Sequence, residues 1–276
     1  MSKKINISII VDNDIIWNLP VWEKTIPILN KNNFNVKSII VCEEKLARLK
    51  GFRKLKWYLL TFGFLNFLKL SLYAVVIFCK RQIKFLLQKK NRSFYDLSRQ
   101  INSKYYECSS PNEKHIKEYL TISKTDIILL MSSHILQNDI IDIPSIGIIN
   151  KHASALPSNK GLFPYFWSIK NSTLQGISFH KVNSYIDNGQ LIFQKLDIPI
   201  ESLKSMISFY IYVFDTYPSN IIGAIKNLIN KKYIKYDTSI QSSYNSIPNK
   251  KDYDTFIKNK GIIIDFKDIL YCIQKL

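Results

Sequence analysis

Short apolar runs and helical stripes alternate along this chain. Residues Ile5 to Val11 form a β-branched apolar run. A run of this kind predicts a strand buried in a parallel sheet. Asp12-Asn13-Asp14 has the composition of a turn. From Trp17 to Leu29 the apolar positions Trp17, Val21, Ile26 and Leu29 predict a helix, with Pro20 near its start. Val36 to Val41 predicts a second strand and completes a β-α-β start.

The pattern continues in the same style. Pro111 to Ile122 predicts a helix, and Asp126 to Met131 a strand that ends in the turn Ser132-Ser133-His134. Ile146 to Ile149 is another apolar strand, and Gly176–Val182 and Gln190–Ile200 form an extended pair. Glu201 to Lys231 predicts a long helix, apolar at Leu203, Met206, Tyr210, Val213, Ile221 and Ile225, which Pro218 should kink or divide. Asn91 to Ser110, polar and aromatic, reads as a loop or ligand-facing segment. Together these predict an α/β fold: a Rossmann-like open, mainly parallel sheet flanked by helices, with a small C-terminal extension. The expected division is a main domain over 1–200, with a helical insertion at about 54–90, and a helical extension and tail over 201–276.

That insertion departs from the pattern. Trp57 to Cys79 is strongly apolar, interrupted by Asn66 and Lys69. Lys50, Arg53, Lys54 and Lys56 flank it on one side, and Lys80, Arg81 and Lys84 on the other. Its length and flanks suit a transmembrane span. Topology opposes one, because a single span would separate the first two strands from the 146–200 stretch of the same sheet. The prediction is two helices broken near Gly63. They would pack on the core, against a second copy of the chain, or on a membrane surface.

Composition adds limits. With 276 residues, 46% of them hydrophobic, the chain can bury a sizeable core. Its net charge of +18 implies attraction to phosphates, anionic membranes or acidic ligands, or else a lysine-rich bias spread over the surface. Cys42, Cys79, Cys108 and Cys272 lack C-x-x-C spacing and fit neither a zinc site nor a disulfide scaffold. The first residues lack a signal-peptide apolar region. A cytoplasmic location is the resulting expectation. The first glycine is Gly51, so the first βα turn carries no Gly-x-Gly-x-x-Gly and no Walker loop. That argues against a dinucleotide cofactor or an ATPase.

The chemistry concentrates between Ile146 and Pro199. Asn150 and His152 lie two apart at a strand end, so they start on one face. A proline- and glycine-marked loop follows, from Pro157 to Pro164, and the later extended pair brackets Asp187. A His moves protons near neutral pH, an Asp can orient it, and an Asn amide can stabilise an oxyanion. No Ser or Cys sits in a nucleophile motif such as G-x-S-x-G, which favours direct attack by a substrate group. Taken singly, Asn150 could simply close a strand end and Asp187-Asn-Gly189 a turn. Taken jointly, in this order, the catalytic reading is preferred. His115 falls on the surface of the 111–122 helix, and His134, without an Asn companion or signature loop, reads as structural.

The pieces Asn150-Lys-His152-Ala-Ser154-Ala-Leu-Pro157, Gly161, Gln175-Gly-Ile-Ser-Phe-His180 and Asp187-Asn-Gly189-Gln-Leu191 resemble the ordered signature of the folate-dependent formyltransferases. Ala155 replaces the first Leu of that family's Leu-Leu-Pro, and Lys151 stands between Asn and His. The resemblance implies transfer of a formyl group from N10-formyltetrahydrofolate to a primary amine without a metal. Asn150 would hold the oxyanion, His152 would move the proton, and Asp187 would hold His152. Met131, Ser132, Ser133, Ile135 and Leu136 would shape the folate pocket. Ser154 and His180 would support the site.

Gly161-Leu-Phe-Pro-Tyr-Phe-Trp167, and Val11-Asp12-Asn13 followed by Trp17, are similar to the sugar N-formyltransferases. The implied acceptor is a nucleotide-linked amino sugar for surface polysaccharides. It would be bound by Asp12, Asn13, Trp17, Lys151, Ser154, Lys160, Gly161 and Trp167. Absence of a glycine loop after the first strand sets aside the glycinamide-ribonucleotide branch. A methionyl-tRNA formyltransferase-like enzyme suits the charge, but the residues after Lys232 are too few for that branch's tRNA-binding barrel, so no nucleic acid is expected. A non-catalytic, membrane-associated protein on the same fold is the other alternative.

Overall fold

Seven strands pair into one sheet in the order β3-β2-β1-β4-β5-β7-β8. They are β1 (Ile5–Asp12), β2 (Phe34–Cys42), β3 (Lys104–Cys108), β4 (Ile127–Met131), β5 (Gly147–His152), β7 (Ile177–Lys181) and β8 (Leu191–Lys195). The first five are parallel; β7 and β8 add antiparallel strands at one side. The computed structural model describes residues 4–47, 49–88 and 91–274.

Strand periodicity divides the core in two. Ile7, Ile9 and Val11 of β1 face a core shared with α1 (Asn18–Lys31) and α8 (Met206–Ile229). Ile10 turns to the other face, where it meets Ile116 and Leu120 of α5 (Lys114–Ile122) and Ile140 of α6 (Asn138–Ile141). Both faces are therefore covered, which is why these strands read as apolar runs rather than alternating ones. The register also pairs Cys42 with Cys108 at the carboxyl ends of β2 and β3, with the two sulfurs 3.5 Å apart. Sequence spacing carries no trace of this pair.

The expected α/β architecture is present, with local differences. Residues 91–110 form α4 (Phe94–Gln100) and β3 rather than a loop. The cause is legible in retrospect: Ser93 and Asp96 form a capping box, and Tyr105 and Tyr106 suit a strand. The long helix begins at Met206, after a 3₁₀ turn at Ile200–Ser202, because Ser205 and Ser208 cap each other's backbone. Pro218 does not divide α8; its ring is buried in the core contact.

The insertion forms α2 (Gly51–Phe62) and α3 (Phe64–Gln88), broken at Gly63, whose φ of 81° suits glycine alone. Among the described residues no helix is long and apolar enough to cross a membrane. Residues 201–274 are woven into the rest of the chain. Phe209, Val213 and Tyr217 of α8 join the main core. The two-residue strand β9 (Tyr244–Asn245) pairs with β6 (Lys160–Gly161), and α9 (Lys250–Lys258) packs on α7 (Pro164–Lys170). Tyr73 of α3 is buried in the main core, and α10 (Phe266–Gln274) lies against the same helix.

Two glycines behave oppositely. A Cβ on Gly189 would lie 1.6 Å from the Lys181 carbonyl oxygen, a backbone atom that cannot step aside. Gly189→Ala should therefore destabilise the fold by at least ~2 kcal/mol. Gly223, exposed within α8, has open space around its Cβ position. Gly223→Ala should stabilise by about 0.5–1 kcal/mol. Urea denaturation of both variants checks the pair, and equal effects would contradict it.

Candidate active site

The parallel sheet reverses direction between β1 and β4, since β2 and β3 lie on one side of β1 and β4 and β5 on the other. Crevices outside the carboxyl ends of strands at such a switch point are ready-made binding sites. Asp12, the last residue of β1, reaches across this gap. Its carboxylate accepts hydrogen bonds from the Ser132 hydroxyl and, at 2.8 Å, from the Ser133 amide. The loop after β4 is fixed in this way. His134 anchors the same loop through a 2.8 Å contact between its Nε2 and the Glu43 carbonyl. A cavity of about 600 Å³ opens beside it.

Asn150, His152 and Asp187 meet on one wall of that cavity. β5 carries the first two, and antiparallel pairing sets Asn150 opposite His180 of β7. The turn after β7 brings in Asp187, at φ 46°, a left-handed conformation that an Asp-Asn-Gly turn tolerates. Asp187 is buried and collects four partners. Its Oδ2 accepts from the Gly161 amide at 2.9 Å and lies 3.4 Å from His152 Nδ1. Its Oδ1 lies 3.4 Å from both His180 Nε2 and Asn150 Nδ2. Burial alone would raise the Asp187 pKa. The charge of His152, the hydrogen bond and charge of His180, and the Gly161 amide together outweigh burial and hold it well below the usual carboxylate range.

His152 is pulled both ways. Burial lowers its pKa, with help from nearby His180 and Lys151. Asp187 and the Asn159 carbonyl, 2.8 Å from Nε2, oppose that shift, and burial wins. The resting ring is therefore neutral at neutral pH, with two acceptors in place to receive its charged form. Both ring nitrogens thus face protein oxygens that would stabilise an imidazolium.

The loop from 153 to 163 is held from three sides. The Ser154 hydroxyl donates to the Ser158 carbonyl at 2.7 Å, and the Ser178 hydroxyl donates to the Ser154 carbonyl. The Asn159 amide donates to Ser243 Oγ. β9 then lies so close to Gly161 that a Cβ there would meet the Asn245 carbonyl oxygen at 2.2 Å. Tyr244 and Ser246 complete the cavity rim. Sequence reading missed that contribution, because a two-residue strand has no periodicity to detect.

The expected folate contacts Met131, Ser132, Ser133, Ile135 and Leu136 all line the cavity. The expected acceptor contacts divide. Lys151 and Gly161 line it. Lys151 also stands over the Phe214 ring at 3.9 Å, and burial pushes its pKa down to about 7. Asp12 lies behind the wall, holding Ser132 and Ser133. Ser154 is consumed by the loop, and Lys160 binds the Asn188 side chain. Trp167 is buried and donates to the Ser246 carbonyl. Trp17 stacks between Tyr73 and Phe214 and lines a second cavity of about 710 Å³, and Asn13 lines neither. His180, expected as a support, touches both Asn150 and Asp187 directly. Its Nδ1 is buried without a hydrogen-bond partner. Among the described residues no group of three or more His, Cys, Asp or Glu could hold a metal ion.

The formyl transferase family profile matches residues 69–208, about half the chain, starting inside α3 and ending early in α8. A methionyl-tRNA formyltransferase of Prochlorococcus marinus is 26% identical over 157 residues, which is 56% of this chain and 47% of that protein. The chain spans half or less of the length of the curated relatives it matches. The fold is shared with a sugar N-formyltransferase from a Shewanella species, at a TM-score of 0.58, 14% identity and coverage of 93% and 88% of the two chains. An N-formyltransferase from Helicobacter canadensis, solved with folinic acid and dTDP-3-aminofucose, gives 0.54 and 17% over 93% and 79%.

The electrostatics make a direct prediction. His152 should titrate below the ordinary value of 6.5. Asp187→Asn removes a charge that raises it, so the variant's His152 should titrate lower still. Because the folded pKa lies below the unfolded one, the contribution of His152 to stability is present above about 6.5 and lost as pH falls through the folded value. NMR of ¹⁵N-labelled histidine across a pH series reads both. An upward shift in the variant would contradict this assignment of the charges.

Proposed function

The chain belongs to the formyl transferase family, and on that premise we propose that it transfers a formyl group from N10-formyltetrahydrofolate to the primary amine of a nucleotide-linked amino sugar. The observation that carries this reading is the convergence of Asn150, His152 and Asp187 on one cavity wall. The cavity is of a size that suits a small-molecule co-substrate. Leu130, Met131, Leu136 and Val182 offer apolar walls to a flat ring, and Ser132 and Ser133 offer polar edges. When bound, the folate supplies an electrophilic formyl carbon.

The chain's own groups then have distinct tasks. The Asn150 amide has two N–H groups, so one can face Asp187 while the other meets the oxygen that becomes negative. The His152–Asp187 pair accepts the proton that the attacking amine loses and returns it to the folate nitrogen as the C–N bond breaks. Asp187, already charged, stabilises the imidazolium formed midway.

For the acceptor, the sugar reading is supported by the Gly161 to Trp167 element and by a fold shared with sugar N-formyltransferases. Such a product would serve surface polysaccharide. The +18 charge favours a second reading, an aminoacyl-tRNA acceptor.

Purified protein incubated with N10-formyltetrahydrofolate and a panel of nucleotide-linked 3- and 4-amino sugars, with methionyl-tRNA as a further arm, separates these readings. Mass spectrometry should find one added formyl group on a sugar. Formylation of the tRNA alone would replace the sugar reading, and no transfer in any arm would remove the acceptor proposal. Asn150→Ala should lower kcat by about 10²–10³-fold, the cost of one oxyanion donor. His152→Ala should abolish most turnover while folate still binds by fluorescence titration; near-full turnover would exclude His152 as the proton acceptor.

A further inference from the structure

The outer face of α2 and α3 is not used by the site or by the core. Phe52, Leu86 and Leu87 are 79%, 75% and 78% exposed. Leu65, Leu72 and Phe78 continue the exposed strip along α3. Among the described residues of α3, none that is exposed carries a charge; Lys69, Lys80, Arg81 and Lys84 are half-buried at its sides. The opposite face is fully engaged, through Phe62 and Tyr73 in the core and the Trp57 indole on the Pro248 carbonyl. A helix solvated on its outer side would be polar there. A contiguous apolar strip of this extent marks an interaction surface.

Charge selects the partner. From Lys45 to Tyr95 the chain holds thirteen Lys and Arg and no Asp or Glu; Lys50, Lys54 and Arg81 are paired with Glu43, Glu44 and Glu23, which leaves an excess of positive charge. Arg53 and Lys56 are exposed on α2, beside the strip. Two copies of this chain meeting face to face would bring two such basic segments together, each on a chain of net charge +18. Like charges directly across an interface oppose association. An anionic surface with an apolar layer beneath it satisfies both features. Basic stems reach its phosphates while leucine and phenylalanine side chains enter the acyl boundary.

We propose that the outer face of α2 and α3 docks this protein in the plane of an anionic lipid bilayer. The 25-residue α3 would lie along the interface for roughly 37 Å at 1.5 Å per residue. The catalytic cavity is built from other elements, so docking does not require the proposed reaction.

Flotation of the full chain with vesicles tests this. The protein should float with phosphatidylcholine vesicles that contain phosphatidylglycerol, float far less with phosphatidylcholine alone, and lose binding as salt rises. Leu65→Glu, Phe78→Glu and Leu86→Glu together should weaken vesicle binding about tenfold or more, with unchanged circular dichroism and melting temperature. No binding to anionic vesicles at low salt would overturn the proposal, as would unchanged binding by the triple variant. A homodimer that the triple variant converts to monomer, without vesicle binding, would replace it with self-association. If the triple variant fails to fold, an environment-sensitive dye on Leu65→Cys substitutes: a blue shift on anionic vesicles is expected, and none would overturn the proposal.

Discussion

A carboxylate taken out of water stays charged only if its surroundings replace the water. Asp187 is the point at which this structure meets that demand. Its two oxygens are supplied by an amide from one loop, two imidazoles from neighbouring strands and a side-chain amide. The donors come from three separate strands, so satisfying Asp187 ties together β5, β6, β7 and the turn before β8. Burial leaves His152 neutral, while the contact with Asp187 favours its charged form. Site chemistry and local architecture here rest on one requirement.

The sheet provides the frame for that requirement. Reversal of strand order beside β1 opens a crevice, and Asp12 spans it to fix the loop after β4. The antiparallel pair β5–β7 then sets Asn150 opposite His180. The C-terminal residues close the arrangement: β9 presses on Gly161, and Ser243 holds the Asn159 backbone whose carbonyl meets His152. A segment expected as an extension thus helps to shape the cavity.

Much of this was legible in the chain. The parallel strands announce themselves because both faces are buried, which leaves apolar runs without alternation. Gly63 marks the break between α2 and α3, since only glycine takes its backbone angles cheaply. Other features were legible only in part. The Ser93–Asp96 cap was present in the sequence, yet the polarity of its surroundings read as a loop. The start of α8 at Met206 depends on a serine pair that carries no apolar period.

The sequence alone determined the covered parallel sheet, the broken apolar insertion and the order of Asn150, His152 and Asp187, because burial period and turn chemistry are local properties. Tertiary structure decided what meets what. It seated His180 against Asp187, drew Trp17 into a stack with Tyr73 and Phe214 away from the cavity, and brought Tyr244 to its rim. It also decided which side of α3 faces the core. Those outcomes depend on pairings between residues far apart in the chain, and a helical or strand period records that a face is buried without recording what buries it.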